Sequence, residues 1–281
     1  MFGLKDSGFS EAELALFAKW QRVSFTALEQ VAAALEAGDT ERAVALRIHK
    51  VLHAAGAQNY FHVPVALFGD RTAYPGDFGL LGALPTDRAL KHGDAVILDV
   101  SPIFDGCHVD TSYALRFGAG GVPAVLDEAL LALRALILRR VHEGATMRVI
   151  AREVDAQIRE RGLENCHRKH IGAVLGHRVT LERGSFLRGR RIWGLAVRQA
   201  GWFFINSWRS GRGKPQLSPN WNHARQSDCP APDGLWAIEP HVALDGFGAK
   251  FEDLLVVQGG RAYFLDEDLP HHGRWRARGL A

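Results

Sequence analysis

Apolar residues recur every third or fourth position through LALFAKWQRVSFTALEQVAAALEAG, residues 14–38, and this spacing predicts one long helix ending at Gly38. Ser10 followed by Glu13 supplies a capping-box signature ahead of it. A second helix is predicted in DTERAVALRIHKVLHAAG, residues 39–56, with Asp39 or Thr40 as N-cap and Val44, Ile48 and Leu52 on one face. Beyond it the period changes from helical to extended. YFHVPVALFG, AVILDVSPIF and HVDTSYALRF read as strands, and Asp105-Gly106 between the last two is a hairpin-turn pair.

The same order returns 106 residues later, in HEGATMRVIAREVDAQIRERG. Gly144, Thr146, Arg148, Ala151 and Gly162 repeat Gly38, Thr40, Arg42, Ala45 and Gly56, while Ile150, Val154 and Ile158 repeat the apolar face. The strand-like IGAVLGHRVTLE follows. Two copies of helix, glycine turn, helix and strands predict an α+β fold with pseudo-twofold symmetry, both halves burying their helices on one joint sheet. Residues 1–281 are expected to form a single domain, with an insertion at about 183–234.

Composition narrows the class. With 47% hydrophobic and 23% charged residues the chain has the makeup of a folded globular protein. No run approaches the ~20 apolar residues of a membrane span, and the opening residues lack a basic segment followed by an apolar one, so a cytoplasmic location is expected. Cys107, Cys166 and Cys229 are odd in number and form no C-x-x-C pair, which predicts free thiols and, for Cys107, an inert buried one. The net charge of +3 hides an asymmetry. Arg183 to Arg225 holds nine basic residues, no acidic one, and Trp193, Trp202, Trp208 and Trp221, which leaves the rest of the chain at −6.

The chemistry begins in DVSPIFDGCHVDTS, residues 99–112. Asp105 is explained by the turn, but Asp99 and Asp110 are placed on paired strands, where aspartate is disfavoured and alternation can aim both carboxylates at one face. Two carboxylates brought together repel unless a cation or proton lies between them. LWAIEPHVALDGFGAKFEDLLVV repeats the device with Glu239 and Glu252 on two apolar strands joined by a turn-rich stretch, and VLGHRV adds His177. Four carboxylates and an imidazole suit two divalent cations such as Mn, Fe or Co, with Zn also allowed, better than one tetrahedral zinc.

The spacing D-V-x4-D-G-x3-D-T-S from Asp99, Gly-His at 176–177, Ile-Glu-Pro at 238–240 and Phe-Glu-Asp at 251–253 resemble, in that order, the pita-bread metallopeptidases, a family that includes methionine aminopeptidase, prolidase, aminopeptidase P and creatinase. The resemblance implies that Asp99 chelates one metal, Asp110 and Glu252 bridge two, and His177 and Glu239 complete the second. It also implies a dinuclear hydrolase that cleaves an N-terminal or proline-adjacent amide bond through a metal-bridged hydroxide, with Glu239 able to shuttle the proton. His62 lies where the family often has a pocket-lining histidine.

The pattern also departs from that family. Peptide-cleaving members carry a helper histidine seven residues after the ligand, and seven after His177 is Gly184. His170 as ligand with His177 as helper is the alternative; otherwise the helper is missing or supplied by His223 or His241. His108, His167, His271 and His272 give no comparable signal. The basic, tryptophan-rich segment reads as a lid or pocket wall for an anionic substrate, or as a structured insertion whose tryptophans pack on the sheet. The expected partner is a peptide or small amide, with nucleic acid not expected and homodimerisation left open. A specialised enzyme for a small non-peptide amide, and a non-catalytic binding homologue, are the alternatives. No phosphate loop, H-E-x-x-H or G-x-S-x-G is present.

Overall fold

The computed structural model describes residues 3–76, 82–183, 191–192 and 195–280; Gly184 and Trp193 lie outside them. Helix α1 (Glu11–Ala33) opens on the expected capping box: Ser10 Oγ accepts from Glu13 N, and Glu13 Oε2 accepts from Ser10 N at 2.7 Å. It ends five residues short of Gly38. Leu35 is drawn into the core, and the Gly38 N–H donates to Leu90 O, so the chain leaves the helix early. Helix α2 (Glu41–Ala54) has Thr40 as its N-cap, with the hydroxyl accepting from Ala43 N.

The second half repeats this construction. Helix α3 (Ala124–His142) packs on α4 (Met147–Glu160), whose N-cap Thr146 accepts from Val149 N. Each cap residue also makes an isolated antiparallel bridge, Thr40 to Ala89 and Thr146 to Pro230. Arg42 then reaches Asp87 and Arg148 reaches Asp228, so the repeated threonine and arginine do the same work twice.

Between the helix pairs lie the strands. Val65–Phe68, Ala95–Val100 and Thr111–Arg116 form one antiparallel sheet; Asn220–Trp221, Gly176–Val179, Gly234–Ile238, Asp253–Gln258 and Arg261–Phe264 form another, in those orders. Side chains on the central strands alternate between two cores. Val96, Leu98, Val100, Leu235, Ala237 and Leu254 pack with α1 and α2, whereas Ile97, Trp236, Ile238 and Leu255 pack with α3 and α4. The predicted α+β duplication is therefore present, with strands of both halves sandwiched between the two helix pairs.

Each strand predicted as continuous is broken in two. Ala95–Val100 gives way to Pro102–Phe104, Cys107–His108 to Thr111–Arg116, Gly234–Ile238 to His241–Leu244, and Phe247–Lys250 to Asp253–Gln258. The partners of each break lie in different sheets, and Pro102 and Pro240, which lack an N–H, mark two of them. Both hairpins turn on Asp-Gly with positive φ at both residues, Asp105 (48°) and Gly106 (82°), Asp245 (48°) and Gly246 (79°). Among the described residues no helix is long and apolar enough to cross a membrane, and Cys107, Cys166 and Cys229 are free thiols.

Candidate metal centre

The four carboxylates stand at or beside the strand breaks. Asp99 is one residue from the end of its strand and is paired with Ser112; Asp110 falls in the gap before Thr111 rather than on a strand. Glu239 follows Ile238 and Glu252 precedes Asp253, again in gaps and not within the strands expected to carry them. The reason is geometric. Where a strand passes from one sheet to another its neighbours diverge, and the side chains at that point face a shared interior space. His177 reaches the same space from Gly176–Val179, next to a glycine that has a purpose: a Cβ at 176 would lie 2.6 Å from Ala237 O.

Asp110 is the hub. Its Oδ2 accepts from Ser101 Oγ at 2.6 Å and lies 3.1 Å from His177 Nε2, while Oδ1 lies 3.6 Å from His62 Nε2. Ser101 Oγ is also 2.7 Å from His108 Nε2. The serine hydroxyl has one hydrogen and gives it to Asp110, so His108 must donate from Nε2, and the chain His108 to Ser101 to Asp110 holds the carboxylate in place. Burial works against the Asp110 charge, but the three histidines gathered around it, His108, His177 and His62, outweigh that and hold the carboxyl well below its usual range. Burial together with the nearby Asp110 charge pushes Glu252 well above its own.

Two groups of three donor atoms share Asp110: His62, Asp99 and Asp110, and Asp110, His177 and Glu252, the atoms of each within 4.8 Å of one another. His62 sits at the mouth with 34% of its side chain exposed and Nε2 3.5 Å from Asp99 Oδ1. Desolvation would lower its pKa, but contact with Asp110 and the charge of Asp99 raise it to about 9. Asp99 Oδ1 and Asp110 Oδ1 are buried and have no hydrogen-bond partner. Oxygen atoms left in that state are costly unless a cation sits against them, so this donor set of carboxylates and imidazoles fits a divalent metal.

A lysine also stands in the cluster, and sequence reasoning missed it. Lys250 Nζ is 2.7 Å from Asp99 Oδ2, 3.1 Å from Glu239 Oε2 and 3.3 Å from Glu252 Oε2. Burial alone would lower the lysine, but these three carboxylates hold it well above its usual value. A signal was present in GAKFED: Lys250 and Glu252 are two residues apart, the alternation already used for the acids. His108, two before Asp110, was passed over in the same way.

The other candidate histidines are placed differently. His170 is 6.1 Å, ring to ring, from Tyr74 and feels the charges of Glu239, Lys250 and Asp99, but it belongs to neither donor group. His241 is buried with Nε2 2.7 Å from Thr72 O and its ring edge-on to Tyr74; its proton is committed to a backbone carbonyl, away from a helper's task. His223 Nε2 lies 2.8 Å from Asp155 Oδ2. His271 and His272 flank Asp253, which also accepts from Arg134 Nε at 2.9 Å and thereby ties down the C-terminal helix Pro270–Ala277. Burial pushes the Cys107 thiol up to about 12.

The basic segment divides between both readings made of it. Trp202 and Trp221 are buried, and Trp221 Nε1 donates to Met147 O, as a structured insertion requires. Arg198 pairs with Glu182 and Arg183 with Glu13. Helix Val197–Gly211 nonetheless reaches the site: Phe203 packs 5.6 Å from Phe61, whose ring is 5.9 Å from that of His177. Phe204 and Trp208 on the same helix are exposed.

A model of metallopeptidase family M24 matches residues 15–259. No curated protein matches the chain. Among solved structures, the X-Pro aminopeptidase of Thermotoga maritima superposes with a TM-score of 0.66 at 18% identity, over 94% of this chain and 63% of that one. A dipeptidase of Pyrococcus horikoshii gives 0.64 at 19%, over 91% and 60%, and the His243Ala form of Escherichia coli aminopeptidase P gives 0.59 at 14%, over 95% and 60%. These identities speak for the pita-bread fold, and the chain spans about three fifths of the length of each.

Proposed function

Since the chain belongs to metallopeptidase family M24, we propose that the Asp110-centred cluster is the active site of a metal-dependent hydrolase acting on an N-terminal or proline-adjacent amide bond. The observation that supports this most is the pair of donor groups sharing Asp110, with Asp99 Oδ1 and Asp110 Oδ1 unpartnered in a buried site. Asp99, Asp110, His177, Glu239 and Glu252 would hold the cation chemistry in a two-cation arrangement, Mn, Fe or Co being the ions such donors suit. A bound divalent cation would supply Lewis-acid activation of a water and of the scissile carbonyl. Glu239 stays ionised, because Lys250, His177 and His170 outweigh the effect of its burial, and so can take and return a proton at its carboxylate. His62 at the mouth hydrogen-bonds the substrate, and Phe61 and Phe203 exclude water from one wall.

A second reading keeps the site and changes the substrate to a small non-peptide amide or amino-acid derivative. The approach of Phe203 to Phe61 favours it, since the inserted helix thereby borders the site. The test is metal analysis of protein reconstituted without oxygen, followed by a screen of peptides for N-terminal cleavage. Bound metal with peptide cleavage is expected. Bound metal with cleavage of small amides only would move the substrate to the second reading, and absence of bound metal would overturn both in favour of a binding protein.

A further inference from the structure

Lys250 ends the strand Phe247–Lys250 and is held there by its antiparallel pairing with His241. The ammonium donates hydrogen bonds to two carboxylates, Asp99 Oδ2 and Glu239 Oε2, and lies 3.3 Å from a third, Glu252 Oε2, so three acids share its charge. The side chain is 4% exposed, so water does not share those contacts. We propose that this ammonium is one of the two cations of the site: the chain holds a single divalent ion, on Asp110, His177 and Glu252, and Lys250 takes the place of the other.

The inference rests on the metal-dependent reading above and assigns how its charge is supplied. The shortest contact of Nζ, 2.7 Å, is to Asp99 Oδ2, which leaves that carboxylate only Oδ1 and removes it as a chelate. A divalent ion brought onto both Asp99 oxygens would stand beside a fixed positive charge in a buried site, where screening is weak. The other position is spared. Lys250 contacts Glu252 through Oε2, while Glu252 Oε1 lies on the His177 side, 4.0 Å from Nε2, and Asp110 has no contact with the lysine within 4.0 Å.

Titrating metal-free protein with Mn(II), followed by calorimetry and by electron paramagnetic resonance, tests this. Wild type is expected to take one equivalent tightly, with the spectrum of an isolated ion, and any second equivalent about 100-fold more weakly, two factors of ten in affinity. Lys250→Met should take two equivalents and show a spin-coupled pair; Lys250→Arg should still take one. Two comparably tight equivalents in wild type would overturn the inference and leave the metal-dependent reading standing, and that outcome does not depend on any variant folding. A Lys250→Met protein that folds and still binds one ion would also overturn it. No bound ion in wild type would instead overturn the metal-dependent reading itself, and this inference with it.

Discussion

In the first half the carboxylates Asp99 and Asp110 flank a hairpin that turns at Asp105-Gly106; in the second, Glu239 and Glu252 flank one that turns at Asp245-Gly246. Two residues before the second carboxylate the halves part. The first has His108, which donates through Ser101 and leaves Asp110 ionised and open to His62 and His177. The second has Lys250, whose charge is shared among three acids. The loops differ as well: the bridge from the helix cap spans Thr40 to Ala89 in the first half but Thr146 to Pro230 in the second, the longer excursion carrying the basic segment. A duplicated scaffold can thus preserve caps, bridges and turns while its two copies supply opposite kinds of side chain to one site. Backbone geometry constrains the former, and only the joint charge of the site constrains the latter.

Four perturbations separate shared construction from divided chemistry, in falling order of effect. Asp110→Asn removes the donor common to both groups; kcat/KM on a cleaved peptide should drop on the order of 1000-fold, roughly 4 kcal/mol of barrier, with metal content falling in parallel. Unchanged metal content would deny Asp110 its place as hub. Ser101→Ala breaks only the link between His108 and Asp110, and metal affinity should weaken about 10- to 100-fold, as for other groups that orient a ligand. An effect as large as that of Asp110→Asn would mean that the relay does more than orient.

The next two concern stability. Thr40→Ala and Thr146→Ala each remove an N-cap bond at equivalent places, and urea unfolding should show about 1 kcal/mol lost in each. A loss confined to one would break the equivalence of the halves. Finally, α1 has a capping box whereas α3 begins after Pro123 with no side-chain cap. Burial would raise Glu13, but Lys5, the Ser10 N–H and Arg183 bring it down to about 2. A carboxylate depressed by folding stabilises above its unfolded pKa, near 4.5, and that contribution is lost as pH falls towards 2. The stability gap between wild type and Glu13→Gln should therefore close over that window, which acid titration of unfolding would read directly.

Much of this was legible along the chain. The capping box, the cap at the start of the second helix, the Asp105-Gly106 turn and the repeat are local, set by a few neighbouring residues, and each is found where the pattern put it apart from the early end of α1. The site carboxylates were marked by being acids in apolar surroundings. Their position in the breaks between sheets was not, because a break depends on which strand lies alongside. Lys250 and His108 carried the same period-two spacing as the acids, yet an isolated lysine or histidine in a strand has many uses.

By itself, the sequence determined the duplicated helix and hairpin units and the residue types that make a cation necessary, since capping, turn chemistry and charge repulsion act over short distances or through composition. Tertiary structure alone decided that His177 rather than His170 stands with Asp110 and Glu252, that His241 spends its proton on Thr72, and that an ammonium lies among the acids. Those outcomes depend on strands far apart in the chain converging at one place, where a few ångströms decide which side chain faces Asp110.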